Sequence, residues 1–213
     1  MNPPFHIQAR DRELLLALAQ KVRLFSQRQV ADYFWDGALP NARRRMKQLA
    51  QRELVARITV QARTAPPLES PLASWRPGDS APEFGRVAYR CHERWRQRPV
   101  RPCAAWIATE QTAQLFGGVR RGGLTQPTQA THDLGVAAVW LRLRQVAPLW
   151  ATAWRGEDLF AEARRGEKLP DAFLVDQAGQ VVWVIEFGGG YDAERVAAFH
   201  ADCADRGLPY QLW

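Results

Sequence analysis

Ser26-Gln27-Arg28-Gln29-Val30-Ala31 and, after a short turn, Asn41-Ala42-Arg43-Arg44-Arg45-Met46-Lys47-Gln48-Leu49-Ala50-Gln51-Arg52 carry the strongest local signals in the chain. Ser26 with Gln29 is a capping box: the hydroxyl satisfies one backbone N–H while the amide reaches back to another, which predicts a helix from Ser26 to about Phe34. The turn Asp36-Gly37 leads to Pro40-Asn41, with Asn41 read as the N-cap of a third helix. That helix runs to about Arg52 and buries Ala42, Met46, Leu49 and Ala50. Upstream, Leu14, Leu15, Leu18, Ala19 and Val22 predict a first helix over Arg10–Val22. Downstream, Leu54–Val60 is β-rich and reads as a first wing strand. A helix, a capped helix, a third helix and a hairpin, in that order, predict a winged helix-turn-helix.

Charge singles out the same region. The first 65 residues hold 12 lysines and arginines against 5 acids, whereas the remaining residues hold 17 of each. The chain's formal charge of +7 therefore sits in its first third, as a polyanion-binding head requires.

The middle is less regular. Thr64–Pro82, rich in Pro, Ser and Gly, is expected to be a loop or wing tip. Glu83–Arg98 is expected to be a helix, Ala104–Thr109 a second wing strand and Glu110–Phe116 a short helix. Gly117–Thr131 is expected to link two domains, 1–123 and 124–213. The second reads as a helix at Leu134–Val146, strands at Trp150–Trp154, Ala172–Asp176 and Val181–Phe187, a helix at Ala193–Arg206 and a strand at Tyr210–Trp213. This α-β-β-β-α-β order favours a small mixed sheet flanked by helices, so the chain as a whole is expected to be α+β.

Helix three offers the clearest chemistry. Arg43, Arg44, Lys47, Gln48 and Gln51 lie opposite Met46 and Leu49. Arg forks onto guanine, Gln onto adenine, and Lys neutralises phosphate, so this face suits a major groove. Arg45, Arg52 and Arg57 are expected to add DNA-backbone contacts, and Asn41, Ser26 and Arg28 complete the DNA-binding set. A basic solvated helix, or a winged-helix adaptor that recruits proteins, is the alternative. A second constellation is Pro170-Asp171 at the entry to one strand and Glu186 near the end of the next. Two such carboxylates, with Glu157 as a third, have the oxygen donors for Mg²⁺; two hydrogen-bonded acids at strand ends is the structural alternative.

Pro170-Asp171 with Glu186-Phe187-Gly188, set in that order of elements, resembles the PD-(D/E)xK restriction-endonuclease superfamily over about Thr131–Trp213. The resemblance implies that the two acids hold a metal ion and that a lysine aids water activation. Gly188 stands where that lysine would be, which argues against cleavage; Lys168 is the only substitute nearby. Over nearly the whole chain, Arg12-Glu13-Leu14-Leu15, Trp106–Glu110 with Leu115-Phe116-Gly117, His132-Asp133-Leu134, Pro170-Asp171-Ala172 and Val184-Ile185-Glu186 resemble the replication–relaxation proteins of plasmids and integrative mobile elements. That resemblance implies DNA binding linked to replication, transfer or their control.

The leading expectation is thus a double-stranded DNA-binding protein with a catalytically silent nuclease-like domain, used for further DNA contact or for homodimerisation. It needs no cofactor. The competing expectation is a Mg²⁺-dependent endonuclease or nickase using Asp171 and Glu186. His132-Asp133 reads as a helix cap in preference to a catalytic pair, and His6, His92 and His200 as structural or exposed. Trp75 reads as a loop anchor, and the other tryptophans as core. Gly188-Gly189-Gly190 is not read as a phosphate loop, since no Lys-Ser/Thr follows, and is expected to give the strand-to-helix turn unusual dihedrals. Cys91, Cys103 and Cys203 have no metal-ligand spacing, and no apolar run resembles a signal peptide or membrane span, so a cytoplasmic protein is expected.

Overall fold

Leu14, Leu15 and Leu18 recur at helical spacing, and in the computed structural model of the chain all three are fully buried on one helix. The structure describes residues 5–119, 129–160 and 169–213. In chain order the elements are α1 (Ala9–Gln20), β1 (Phe25–Ser26), α2 (Gln27–Phe34), α3 (Leu39–Gln51), β2 (Val55–Ala62), β3 (Ala73–Trp75), α4 (Phe84–Glu93), β4 (Arg101–Ala108), α5 (Glu110–Leu115), α6 (Gln129–Val146), α7 (Pro148–Ala153), β5 (Trp154–Gly156), β6 (Ala172–Val175), β7 (Val181–Glu186), α8 (Ala193–Asp205) and β8 (Tyr210–Leu212). The chain is mixed α+β. Among the described residues no helix is long and apolar enough to cross a membrane.

Two compact units divide it: Met1–Thr59 with Cys103–Gly123, and Val60–Pro102 with Leu124–Trp213. In the first, α1, α2 and α3 close over a sheet of order β1-β4-β2. Phe25 and Phe34 meet edge to face at 5.6 Å inside a core that includes Val30, Met46, Leu49 and Trp106. The capping box at Ser26 forms as expected: the Gln29 N–H donates to Ser26 Oγ (3.1 Å) and the Ser26 N–H to Gln29 Oε1 (2.9 Å). The third helix begins earlier than expected, at Leu39. Proline's fixed φ suits a first turn, so Pro40 follows Leu39 in that turn and Asn41 lies within it instead of capping it.

The second unit is a five-stranded sheet of order β3-β8-β7-β6-β5. β5, β6 and β7 form an antiparallel meander, and β8 joins β7 in parallel. Alternation along β7 assigns its faces. Trp183 meets Trp150 of α7 at 5.0 Å and Phe187 meets α6, while Val184 shares a core with Cys91 of α4 and Phe199 of α8. Helices therefore cover both faces.

Several expectations change here. The interval expected as wing tip and helix groups with the second unit, because β3 pairs with β8 and α4 packs on α8. Trp75 accordingly is not a loop anchor but a 5% exposed core residue stacked on Tyr210. The strand expected from Trp150 is helix α7, which Pro148 starts; only Trp154 begins a strand. Of the expected linker, residues 120–128 lie outside the described residues, and Gln129 already starts α6.

Gly135 sits mid-helix in α6, where glycine costs about 1 kcal/mol relative to alanine. A Cβ there would lie 2.1 Å from the Phe187 ring, so the glycine is what lets that ring reach the helix backbone.

Candidate functional site

Two places hold the residues singled out above. The first is the solvent face of α3. Ala42, Met46 and Leu49 point into the core, which leaves Asn41, Arg43, Arg44, Lys47, Gln48 and Gln51 exposed on the remaining arc. The helix contains no acid, and among the described residues no ion pair involves Arg43, Arg44 or Lys47. Three cations thus stand on one surface without neutralisation. Arg52, whose guanidinium lies 5.2 Å from the Phe5 ring, and Arg57 on β2 are also exposed.

Arg45 departs from expectation. Its Nε donates to both carboxylate oxygens of Asp11 at 3.1 Å, its Nη1 to Gln48 Oε1 at 3.0 Å, and its Nη2 to the His6 carbonyl. Asp11 is fully buried and also accepts from the Gln8 N–H (2.8 Å), closing the N-terminus of α1. Arg45 is therefore a clamp between α3 and α1, its guanidinium already engaged within the fold. Ser26 is withdrawn too, because its hydroxyl is spent on the α2 cap. Arg28 is exposed but its charge is matched by Asp32 at 2.8 Å. Breaking a buried ion pair leaves a stranded charge, so Arg45→Ala is expected to cost about 3 kcal/mol of stability. Chemical denaturation checks this.

The second place is the acid pair. Register sets Asp171, just before β6, opposite Glu186 at the end of β7, and the two are 8% and 5% exposed. The Asp171 N–H donates to Glu186 Oε2 (3.0 Å), and the Phe187 N–H to Asp171 Oδ2 (2.7 Å). Tyr191 Oη donates to Glu186 Oε1, and His132 Nε2 lies 3.2 Å from Asp171 Oδ1. Every carboxylate oxygen of the pair thus already has a partner. His132 and Asp133 are inside α6, not at its cap, and His132 Nδ1 is 3.7 Å from Asp133 Oδ1.

Burial opposes charge on the His132 imidazole, but the Asp171 carboxylate, hydrogen bonds with Asp133 and Asp171, and the Glu186 charge push it up to about 11. Burial, then repulsion from Asp171, raises Glu186 to about 8. Burial and the Glu186 charge raise Tyr191 as well. The arrangement is a closed histidine–aspartate ion pair beside a carboxyl group that favours its neutral form.

Such a site fits Mg²⁺ poorly. A hard dication needs open carboxylate oxygens, whereas here a histidine cation and three N–H or O–H donors occupy them. Glu157, half-buried, is tied to Asp171 through its backbone N–H (3.1 Å to the Asp171 carbonyl). Among the described residues no group of three or more His, Cys, Asp or Glu is placed to hold a metal ion, and Lys168 lies outside those residues.

Position 188 is closed to a side chain. A Cβ on Gly188 would stand 2.8 Å from Cys91 Sγ and 3.2 Å from Leu212 Cδ2. Overpacking of this kind costs about 1–3 kcal/mol, so Gly188→Ala should destabilise by that much, and adding Cys91→Ala should recover part of the loss in a double-mutant cycle.

Sequence reasoning missed Tyr191, Asp11 and Arg94. Arg94 lies 4.4 Å from the Phe187 ring centre and donates from Nη2 to the Trp213 carbonyl (3.1 Å); burial lowers its pKa to about 10. Gln8-x-x-Asp11 carried a legible capping signal. Tyr191 and Arg94 had none, since their partners are distant in sequence. No protein-family model matches the chain, and no curated protein or solved structure matches it at a significant level.

Proposed function

We propose that this chain binds double-stranded DNA through α3 and carries a nuclease-like unit that does not cleave. The observation that carries the reading is the row of Arg43, Arg44, Lys47, Gln48 and Gln51 on one exposed face of a helix that contains no acid. Cations there replace condensed counterions on phosphate, while Arg and Gln suit base edges. The sheet order β1-β4-β2 behind α2 and α3 supports a winged helix-turn-helix. Strand β1 leads into the capped α2, and the two long strands follow the third helix.

For the second unit, α6 followed by the β5-β6-β7 meander, α8 and the parallel β8 supports a PD-(D/E)xK-like core. The occupied acid pair and the closed position 188 weigh against the Mg²⁺-dependent nickase. Membership of the replication–relaxation proteins, a place on a mobile element, a cytoplasmic setting and homodimerisation through the α/β unit belong to the same proposal.

Anisotropy titrations of labelled duplex DNA across a salt series test it. The affinity should fall steeply with salt, by about one logarithmic unit of slope per phosphate contacted. A supercoiled plasmid incubated with Mg²⁺ or Mn²⁺ should stay intact. Salt-insensitive or undetectable duplex binding would reject the DNA reading, and metal-dependent nicking lost in Asp171→Asn would reject the silent-nuclease reading.

A further inference from the structure

Beside the acid pair the second unit opens a cleft of about 530 Å³. Arg63, Arg96, Arg195, His92 and His132 line it, and none of its lining residues among the described ones is acidic. The acids nearby cancel part of this charge: Asp171 pairs with His132 and Glu93 with Arg96, while no ion pair among the described residues involves Arg63 or Arg195. Asp171 and Glu186 are buried and mutually engaged, Asp192 uses its carboxylate to cap α8, and Glu93 offsets Arg96 alone at 2.9 Å.

The floor adds backbone donors. Gly189 and Gly190 line the cleft in the turn between β7 and α8, with Gly189 in the left-handed region at φ +48°. Among the described residues neither glycine N–H has a hydrogen-bond acceptor, although the N–H groups on both sides do: Gly188 donates to the Trp213 carbonyl and Tyr191 to the Gly188 carbonyl. Successive free N–H groups in a turn form a concavity that favours anions. The Gly189 carbonyl is held by the Trp95 indole N–H at 2.8 Å, which fixes the turn against α4 and its C-terminal extension. Arg195 lies 4.2 Å from the centre of the Tyr191 ring, so its guanidinium is steadied at the rim.

We propose that this cleft is a metal-free phosphate site that takes the phosphate monoester of a nucleotide. Planar guanidinium groups match phosphate oxygens bidentately. The open cleft has room for a sugar and base. None of its lining residues belongs to α3, so it does not depend on the DNA reading. The source is either a 5′-phosphorylated DNA end or a free mononucleotide.

Calorimetry with thymidine 5′-monophosphate, thymidine and inorganic phosphate tests this on the full chain, in the wild type and in Arg43→Ala/Arg44→Ala/Lys47→Ala. Arg96→Ala/Arg195→Ala removes two exposed arginines whose contacts are a surface ion pair and a ring face, so its melting temperature should stay near the wild type. The monophosphate should bind at least about tenfold more tightly than thymidine, and the double variant should weaken it about tenfold or more in both backgrounds. A 5′-phosphorylated oligothymidylate that displaces the monophosphate, when its 5′-hydroxyl counterpart does not, assigns the phosphate to a DNA end. Binding of the monophosphate without that displacement assigns it to a free nucleotide. Equal binding of monophosphate and thymidine, or no loss in the double variant, overturns the proposal. Because the α3 variant is one background, failure of the DNA reading leaves this result standing.

Discussion

Arg43→Ala/Arg44→Ala/Lys47→Ala is expected to weaken duplex binding by about 100-fold or more at moderate ionic strength. Each of the three side chains is exposed on α3 and lacks an acidic partner among the described residues. If α3 meets DNA as proposed, their removal takes away phosphate neutralisation or base contact without disturbing packing. A base-reading arginine accounts for about 1–3 kcal/mol, and each lost phosphate contact should flatten the salt dependence by about one logarithmic unit. Thermal denaturation should be unchanged within about 0.5 kcal/mol, since surface substitutions away from caps and clamps have small effects. Unchanged affinity in a folded variant would remove α3 from the interface.

His132→Ala should be costly to the second unit, by about 2–3 kcal/mol. Removing one partner of a buried ion pair costs about 3–5 kcal/mol, and the lower figure reflects an imidazole whose side chain is 34% exposed. Asp171 would be left beside Glu186 with no cation to offset it. The double variant His132→Ala/Asp171→Asn should recover part of the loss, because it removes the stranded charge as well. Denaturant titration of the three variants measures the coupling.

The same pair gives a pH signature. The folded state holds the His132 proton more tightly than the unfolded chain, so that contribution is complete below about 6.5 and is lost as pH climbs toward about 11. Glu186, raised to about 8, acts in the same direction: its neutral form suits the fold, and ionisation through that value opposes it. The melting temperature should therefore fall between about pH 5 and pH 9, and fall less in His132→Gln. A rise over that range would contradict the ion-pair assignment.

Local patterns were legible without a structure where their cause is local. The Ser26–Gln29 box is satisfied within one turn of chain, and the Ala42–Met46–Leu49 stripe follows from 3.6 residues per turn, so both emerge where expected. The acids at the ends of β6 and β7 became neighbours because strand pairing is set by alternation, which the sequence displays. Trp150 misled for the opposite reason: a short apolar run reads equally as strand or helix, and Pro148 with the Trp183 contact resolved it.

Composition and short-range pattern were thus sufficient for the α+β class, the basic third helix and most of the elements from α6 to β8. Long-range contact settled the rest. Only folding could reveal that Arg45 is spent on Asp11 and that His132 neutralises Asp171. It also revealed that Cys91 closes position 188 and that the stretch from Val60 to Pro102 completes the second unit. Partners separated by tens of residues leave no periodic trace in a chain, because their meeting depends on packing and not on spacing.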